Sequence, residues 1–334
     1  MPPCDEKGFR MTRTPAKGTC LIRDLTCLPA RFRGGAVAVG NFDGVHLGHR
    51  AVIDAARAVA EAEGLPLLAL TFEPHPRTLF ARLKGLAEPE PFRLTPGLTK
   101  IQALADLGLD AVLCLRFTPA FAQQTPDDFI QHVLVEGLGV RHVAVGHDFC
   151  FGRGRAGNAG TLSAADAFSV SALPPQRRAE GNGAGEAFAS TLIRDHLRAG
   201  RVEAAAALLG RAFTLTGRVR HGDKRGRTIG FPTANIALGE YLRPAFGVYA
   251  VTIEVDGQTY RGVANLGRRP TVAGLTERLE VHLFDFAGDL YGRKLTVALR
   301  HFLRPEQKFD GLDALTRQIA LDAQAARDKL AALC

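Results

Sequence analysis

The sequence predicts an α/β plus β protein: a parallel sheet wrapped by helices, then a small antiparallel β-barrel and a C-terminal helix. Three observations carry that expectation. From about Gly18 to Ser171, short apolar runs alternate with helical patterns, as strand–helix–strand repeats do. After Leu209-Gly210-Arg211 the texture changes, and strand-like runs follow one another across turn signals with little helix between. The 334 residues suffice for two domains, each with its own core.

Taken in order, residues 1–18 are polar, lack the apolar stretch of a secretory signal, and read as a disordered tail. Apolar runs at 36–39, 67–72, 111–117 and 142–145 read as strands. Helical patterns lie between them at 50–63, 98–107 and 127–138. A parallel sheet binds its ligand beyond the carboxyl ends of its strands. Three notable stretches follow such ends: GNFDGVHLGHR at 40–50, Glu73-Pro74-His75-Pro76, and GHDFCFGRGRAGN at 146–158. The two prolines stiffen the second, which reads as a turn or as a pocket wall. Residues 82–96 show no period and read as a surface loop. Phe149 and Phe151 suit core packing better than stacking on a ligand ring. Residues 181–185, GNGAG, read as a loop tip. Ser190-Thr191-Leu192-Ile193-Arg194 opens a helix to about Ala199, with Ser190 or Thr191 as its cap and Arg194 able to offer a fork to a polyphosphate. The boundary falls near Leu208, giving domains at 19–208 and 209–334. Strand-like runs then fill 213–221, 247–255, 258–264, 279–286 and 294–302, with a hairpin turn at Val255-Asp256-Gly257-Gln258. An amphipathic helix over 312–333 closes the chain.

Composition narrows the class. Hydrophobic content of 46% and charged content of 23% are ordinary for a globular protein, and no apolar run approaches a membrane span, so no membrane partner is expected. The six cysteines form no C-x-x-C pair and no zinc-spaced cluster with histidine, which fits a reducing cytoplasm. The net charge of +8 suits anionic ligands. The basic residues are scattered and lack aromatic interleaving, so nucleic acid is not expected either. A homo-oligomer stays open.

The chemistry concentrates first at 40–50. Glycines at 40, 44 and 48 allow tight turning and close approach to a ligand. A helix starting at His46 and His49 would aim free N–H groups and its positive dipole end at whatever binds there, which is a phosphate site. His46-Leu47-Gly48-His49 also resembles the H-x-G-H element of nucleotidylyltransferases, whose imidazoles donate to ATP phosphates.

The ordered set GNFDGVHLGH, EPHP, GHDFCFGRGRAGN, STLIR, GFPTAN (230–235), GVYAV (247–251), NLGRRPT (265–271) and LEVHLFDFAGDLYG (279–292) resembles the bacterial bifunctional riboflavin kinase/FMN adenylyltransferases, also called FAD synthetases. The resemblance runs from about Thr19 to the end. It implies a Rossmann-like nucleotidyltransferase domain that joins FMN to AMP and releases pyrophosphate. It also implies a six-stranded kinase barrel that moves the ATP γ-phosphate to riboflavin. ATP, riboflavin and FMN are then the small-molecule partners, FAD the product and Mg²⁺ the cofactor. Implied catalytic residues are Glu280, the general base for the riboflavin hydroxyl, and His46, His49 and Arg194, which stabilise phosphate charge. Implied nucleotide-binding residues are Gly40, Phe42, Asp43, Gly44, Gly48, Asp148, Ser190, Thr191 and Gly230. Thr233 and Asn235 are the implied Mg²⁺ ligands.

Four positions depart from the family pattern. Glu73 stands for the usual Asp, Ala189 and Leu192 replace a serine and an arginine near the phosphates, and Val272 replaces a phenylalanine. Two alternatives stay in view: a kinase with a weak or inactive adenylyltransferase half, which the altered STLIR segment raises, or a non-catalytic flavin-binding regulator. The second has no need of a base and a metal pair.

Overall fold

The computed structural model describes residues 18–85, 90–178, 185–220, 231–271 and 274–332. The tail through residue 17, the loop tip at 181–184, Gly230, Val272 and Leu333 lie outside the described residues. The chain divides into two compact units, Met1–Pro89 with Thr95–Phe188, and Glu90–Leu94 with Ala189–Cys334.

The first unit holds a six-stranded sheet in the order β1-β4-β3-β2-β5-β6, every pairing parallel. Its strands are β1 (Cys20–Ile22), β2 (Ala36–Val39), β3 (Leu67–Glu73), β4 (Ala111–Arg116), β5 (His142–Gly146) and β6 (Ser169–Leu173). The four central strands coincide with the predicted apolar runs. The edge strands carry no such run: β1 is three residues long, and β6 is the half-exposed SVSAL.

Side-chain alternation along the central strands divides the core in two. Small residues, Ala36, Ala38, Ala69 and Ala144, face α1 (Leu47–Glu63) and let Val52, Ile53 and Ala56 approach closely. Val37, Val39, Leu68, Leu70 and Leu113 face the other way, onto Phe129, Val133 and Leu134. Those last residues lie on a π-helical segment, Phe129–Leu138, that continues from a short helix. The remaining helices of this unit are α2 (Pro76–Leu83), α3 (Leu98–Ala105), α4 (Pro119–Ala122), the short α5 (Pro126–Asp128) just mentioned, and α6 (Ala159–Ser163). Phe151 is buried in the same core, its ring stacked on Phe149 with centroids 5.6 Å apart, which makes both packing residues.

The surface loop expected at 82–96 is corrected by burial: Phe92, Arg93, Leu94 and Thr95 are each at most 3% exposed. Backbone bonds from Arg93 N to Glu240 O (3.3 Å) and from Leu242 N to Arg93 O (2.8 Å) make this stretch an added rung of the second unit. A five-residue rung, Glu-Pro-Phe-Arg-Leu, mixes two charges and a proline with two apolar residues and shows no period, which is why it reads as loop.

In the second unit, α7 (Ser190–Arg198) and α8 (Val202–Leu209) precede a closed antiparallel barrel. The barrel strands are β7 (Phe213–Arg220), β8 (Ala234–Ile236), β9 (Gly247–Val255), β10 (Gln258–Thr271), β11 (Gly274–Leu283) and β12 (Lys294–Pro305), in the order β10-β11-β8-β7-β12-β9. Asp256 and Gly257 turn the β9–β10 hairpin with φ of 50° and 84°, as a two-residue primed turn requires. The last helix, α9 (Leu312–Ala331), lays Ala323, Ala326 and Leu330 over Val248, Ala250 and Val263 on the outer wall. The Arg304 guanidinium fastens it with two bonds to the buried Asp322 carboxylate, at 2.8 and 2.7 Å. The cap expected from Ser190 or Thr191 is absent: the capping position of α7 is Ala189, which offers no side-chain oxygen.

Candidate functional site

The chain leaves β2 for β3 and β4 on one side, then returns to β5 on the other, so the strand order reverses between β2 and β5. Such a reversal opens a crevice at the carboxyl ends of the two strands. The 40–50 loop leaves β2 and Asp148 follows β5, so the topology brings these predicted residues to one edge. Asp148 is exposed there.

The loop is tightly wound. Phe42, Gly44 and Val45 all have positive φ (49°, 93° and 44°), and Phe42 and Val45 are each 1% exposed. Two non-glycine residues in that region store strain that the packed surroundings must hold. Asp43 does part of the holding. It is 2% exposed, and its Oδ1 accepts from Thr95 N at 3.0 Å, while Thr95 Oγ1 accepts from Gly44 N at 2.8 Å. Gly40, the residue after β2, still donates its N–H to Leu70 O of the neighbouring strand.

His46 caps α1: its Nδ1 accepts from His49 N at 3.3 Å, which leaves Nε2 as the N–H end of the neutral ring. One N–H group of the first turn, that of His49, is thus taken by the cap. The two imidazoles stack with centroids 3.6 Å apart and planes 19° apart. Gly48 is required by space: a Cβ there would lie 2.8 Å from Phe188 O and 3.2 Å from the His46 ring. Gly48→Ala is therefore expected to displace the imidazole pair, read as a shift of the His46 and His49 ring resonances in NMR.

Sequence reasoning passed over Lys100, which lies on α3 and is fully buried against the same loop, and Thr95. The signal available was a lysine at an apolar position of a helical pattern, LTKIQALA.

In the second unit, Arg194 on α7 donates from Nε to Phe92 O at 2.9 Å and lies over the Phe92 ring. Thr191 is exposed and Ser190 half-buried. On the barrel, Glu280 of β11 stands opposite both Asn235 of β8 and Asn265 of β10. Their neighbours Leu279, Val281, Ile236 and Leu266 are at most 1% exposed and fill the interior. Alternation therefore turns Glu280, Asn235 and Asn265 outward together. Asn235 Oδ1 is buried with no hydrogen-bond partner among the described residues. Thr233 lies just before β8, and His282 Nδ1 donates to Pro232 O at 2.8 Å, holding that approach against β11. Asn265 and His282 were not singled out from sequence, because only the register shows their place.

An orphaned amide oxygen in register with a carboxylate, with a threonine two residues earlier in the chain, offers oxygen donors, which fits a hard divalent cation completed by substrate phosphates. No cluster of three His, Cys, Asp or Glu residues that could hold a metal exists among the described residues, so a softer, all-protein metal site finds no support there.

Both centres are suited to phosphate chemistry, one on a nucleotidyl-transfer type of parallel sheet and one on a small closed barrel; the fold defines a two-domain transferase of phosphorus-containing groups. Comparisons with known proteins make this particular. The FAD synthetase family model matches residues 28–183, and the riboflavin kinase family model matches residues 209–330. A bifunctional riboflavin kinase/FMN adenylyltransferase of Escherichia coli (strain K12) is 45% identical over 311 residues, 92% of this chain and 97% of that one. The protein of the same description from Bacillus subtilis (strain 168) is 40% identical over 87% of this chain and 90% of its own. A crystal structure from Streptococcus pneumoniae, described as a macrolide-efflux protein, superposes with a TM-score of 0.79 at 30% identity, covering 93% of this chain and 99% of that one. No helix among the described residues is long and apolar enough to cross a membrane. The chain belongs to the bifunctional riboflavin kinase/FMN adenylyltransferase family and is an enzyme with both activities. Residues 184–208, which include Ser190, Thr191 and Arg194, lie between the two family matches.

Proposed function

We propose that the two activities are divided between domains at 19–208 and 209–334, and that the second works through Glu280, Thr233 and Asn235. The observation that carries the kinase assignment is the Asn235–Glu280 pair on adjacent strands, facing outward, with one buried amide oxygen left to bind something. An alcohol holds its proton at neutral pH, so phosphorylating riboflavin calls for a base; the Glu280 carboxylate takes that proton as the hydroxyl oxygen attacks the ATP γ-phosphate. Asn235 Oδ1 and the Thr233 hydroxyl would hold Mg²⁺, which when bound neutralises charge on the phosphates. Asn235→Ala is expected to raise the Mg²⁺ concentration for half-maximal kinase rate by about tenfold, in a titration at saturating ATP.

Adenylyl transfer needs no protein base, because the FMN phosphate, with a second pKa of about 6, is already largely ionised. It needs donors on the α-phosphate and on the departing pyrophosphate. His46 Nε2, the His49 ring and the N-terminus of α1 supply them, with Gly40, Phe42, Asp43, Gly44 and Gly48 shaping the loop. The parts assigned to Asp148, Ser190, Thr191, Arg194 and Gly230 rest on the family resemblance. We place the enzyme in the cytoplasm, where ATP is available.

A chromatographic time course with riboflavin, ATP and Mg²⁺ tests the division. FMN is expected to rise and then convert to FAD, and chelation is expected to stop both steps. FMN accumulating without FAD would overturn the adenylyltransferase assignment.

A further inference from the structure

Lys100 is 0% exposed, and neither reaction as described uses it. Its Nζ lies 2.8 Å from Glu73 Oε1 and donates to Thr71 Oγ1 at 3.0 Å, Phe72 O at 3.0 Å and Asn41 O at 3.3 Å. The Thr71 hydroxyl donates in turn to the same Asn41 carbonyl, at 3.2 Å. An ammonium has three hydrogens, so these four acceptors share them, and the longest bond, to Asn41, is reinforced through Thr71.

All four acceptors sit at the carboxyl ends of β2 and β3, which are neighbours in the sheet. Asn41 is the second residue of the loop that winds through Phe42, Gly44 and Val45 to His46. Glu73 is the last residue of β3 and only partly exposed, at 21%. It places a carboxylate one strand away, on the order of 5 Å, from the start of the phosphate loop. An anion there opposes polyphosphate binding unless it is cancelled nearby, and partial burial weakens solvent screening.

Resting on the adenylyltransferase reading above, we infer that Lys100 is a positioning residue for adenylyl transfer: its ammonium pins the Asn41 carbonyl, and with it the strained phosphate loop, and neutralises Glu73 at the edge of the ATP site. A residue needed only to fill space would be met by an apolar side chain. Two effects separate here. Loop placement governs turnover, and charge cancellation governs ATP affinity.

The test uses the full-length enzyme and measures FMN formation from riboflavin and FAD formation from supplied FMN, with kcat and the KM for ATP, for the wild type, Lys100→Met, Glu73→Gln and the double variant. Lys100→Met is expected to keep the kinase rate while FAD formation loses about a hundredfold in kcat/KM, with the KM for ATP up about tenfold. Adding Glu73→Gln, which removes the carboxylate's charge, is expected to return that KM to within about threefold of wild type while kcat stays low. Glu73→Gln alone removes an anion beside the ATP site and is expected to lower the KM for ATP. An unchanged KM in Lys100→Met, a raised KM that Glu73→Gln fails to relieve, or a higher KM in Glu73→Gln alone overturns the inference. If Lys100→Met does not fold, as loss of the kinase rate would reveal, the single Glu73→Gln variant still decides through the direction of its KM. A wild-type enzyme that makes FMN but no FAD would instead refute the underlying reading.

Discussion

Glu280→Gln is expected to lower riboflavin phosphorylation by at least about a hundredfold while FAD formation from supplied FMN continues at the wild-type rate. The amide keeps the shape of the carboxylate and its place opposite Asn235 and Asn265, so the outward face of β11 and the barrel beneath it stay as they are. What disappears is the capacity to accept the hydroxyl proton. The loss should fall on kcat, with the KM values for ATP and riboflavin little changed. Stopped-time chromatography at saturating substrates measures it, and turnover within a few-fold of wild type would remove Glu280 from the role of base.

His49→Ala is expected to have the converse effect: FAD formation falls by about a hundredfold and FMN formation from riboflavin is untouched. His49 is the cleaner probe of the imidazole pair. His46 also caps α1 through Nδ1, so its loss would cost about 1 kcal/mol of local stability on top of any chemistry. His49 contributes only its backbone N–H to that cap, which alanine retains. Equal loss of both activities in His49→Ala would point to one shared centre or a folding defect.

Most of the scaffold was legible because buried strands announce themselves. Residues 36–39 read as strand from four consecutive apolar residues, and all four are buried. The edge strand β6 was not legible, since its residues are half wetted and carry no apolar period. β8 was hidden for another reason: three residues inside a turn-like Pro-Thr-Ala-Asn segment owe their extended form to pairing with β7 and β11. The His46–His49 pair could be placed at a helix start from spacing alone. That His46 spends one nitrogen on capping is a local matter of the first helical turn, but that Asp43 is consumed by Thr95 and that Lys100 reaches the loop from α3 are facts of tertiary packing across 29 to 59 residues of sequence. The place of Lys100 on the apolar side of LTKIQALA hints at burial, but nothing local to the helix says which acceptors it meets.

The rung formed by Glu90–Leu94 bears on how such an enzyme can change over evolutionary time. These residues are encoded in the middle of the adenylyltransferase half, yet they pair with Glu240, Tyr241 and Leu242 of the barrel unit, with the Arg93 guanidinium 3.8 Å from the Glu240 carboxylate. A gene split anywhere between the two halves would separate that rung from the surface it completes and strand several hydrophobic groups in water. Recombination that swaps one catalytic half for a relative's must likewise match two distant stretches of sequence at once. The coding stretch of one half carries a piece of the other half's body.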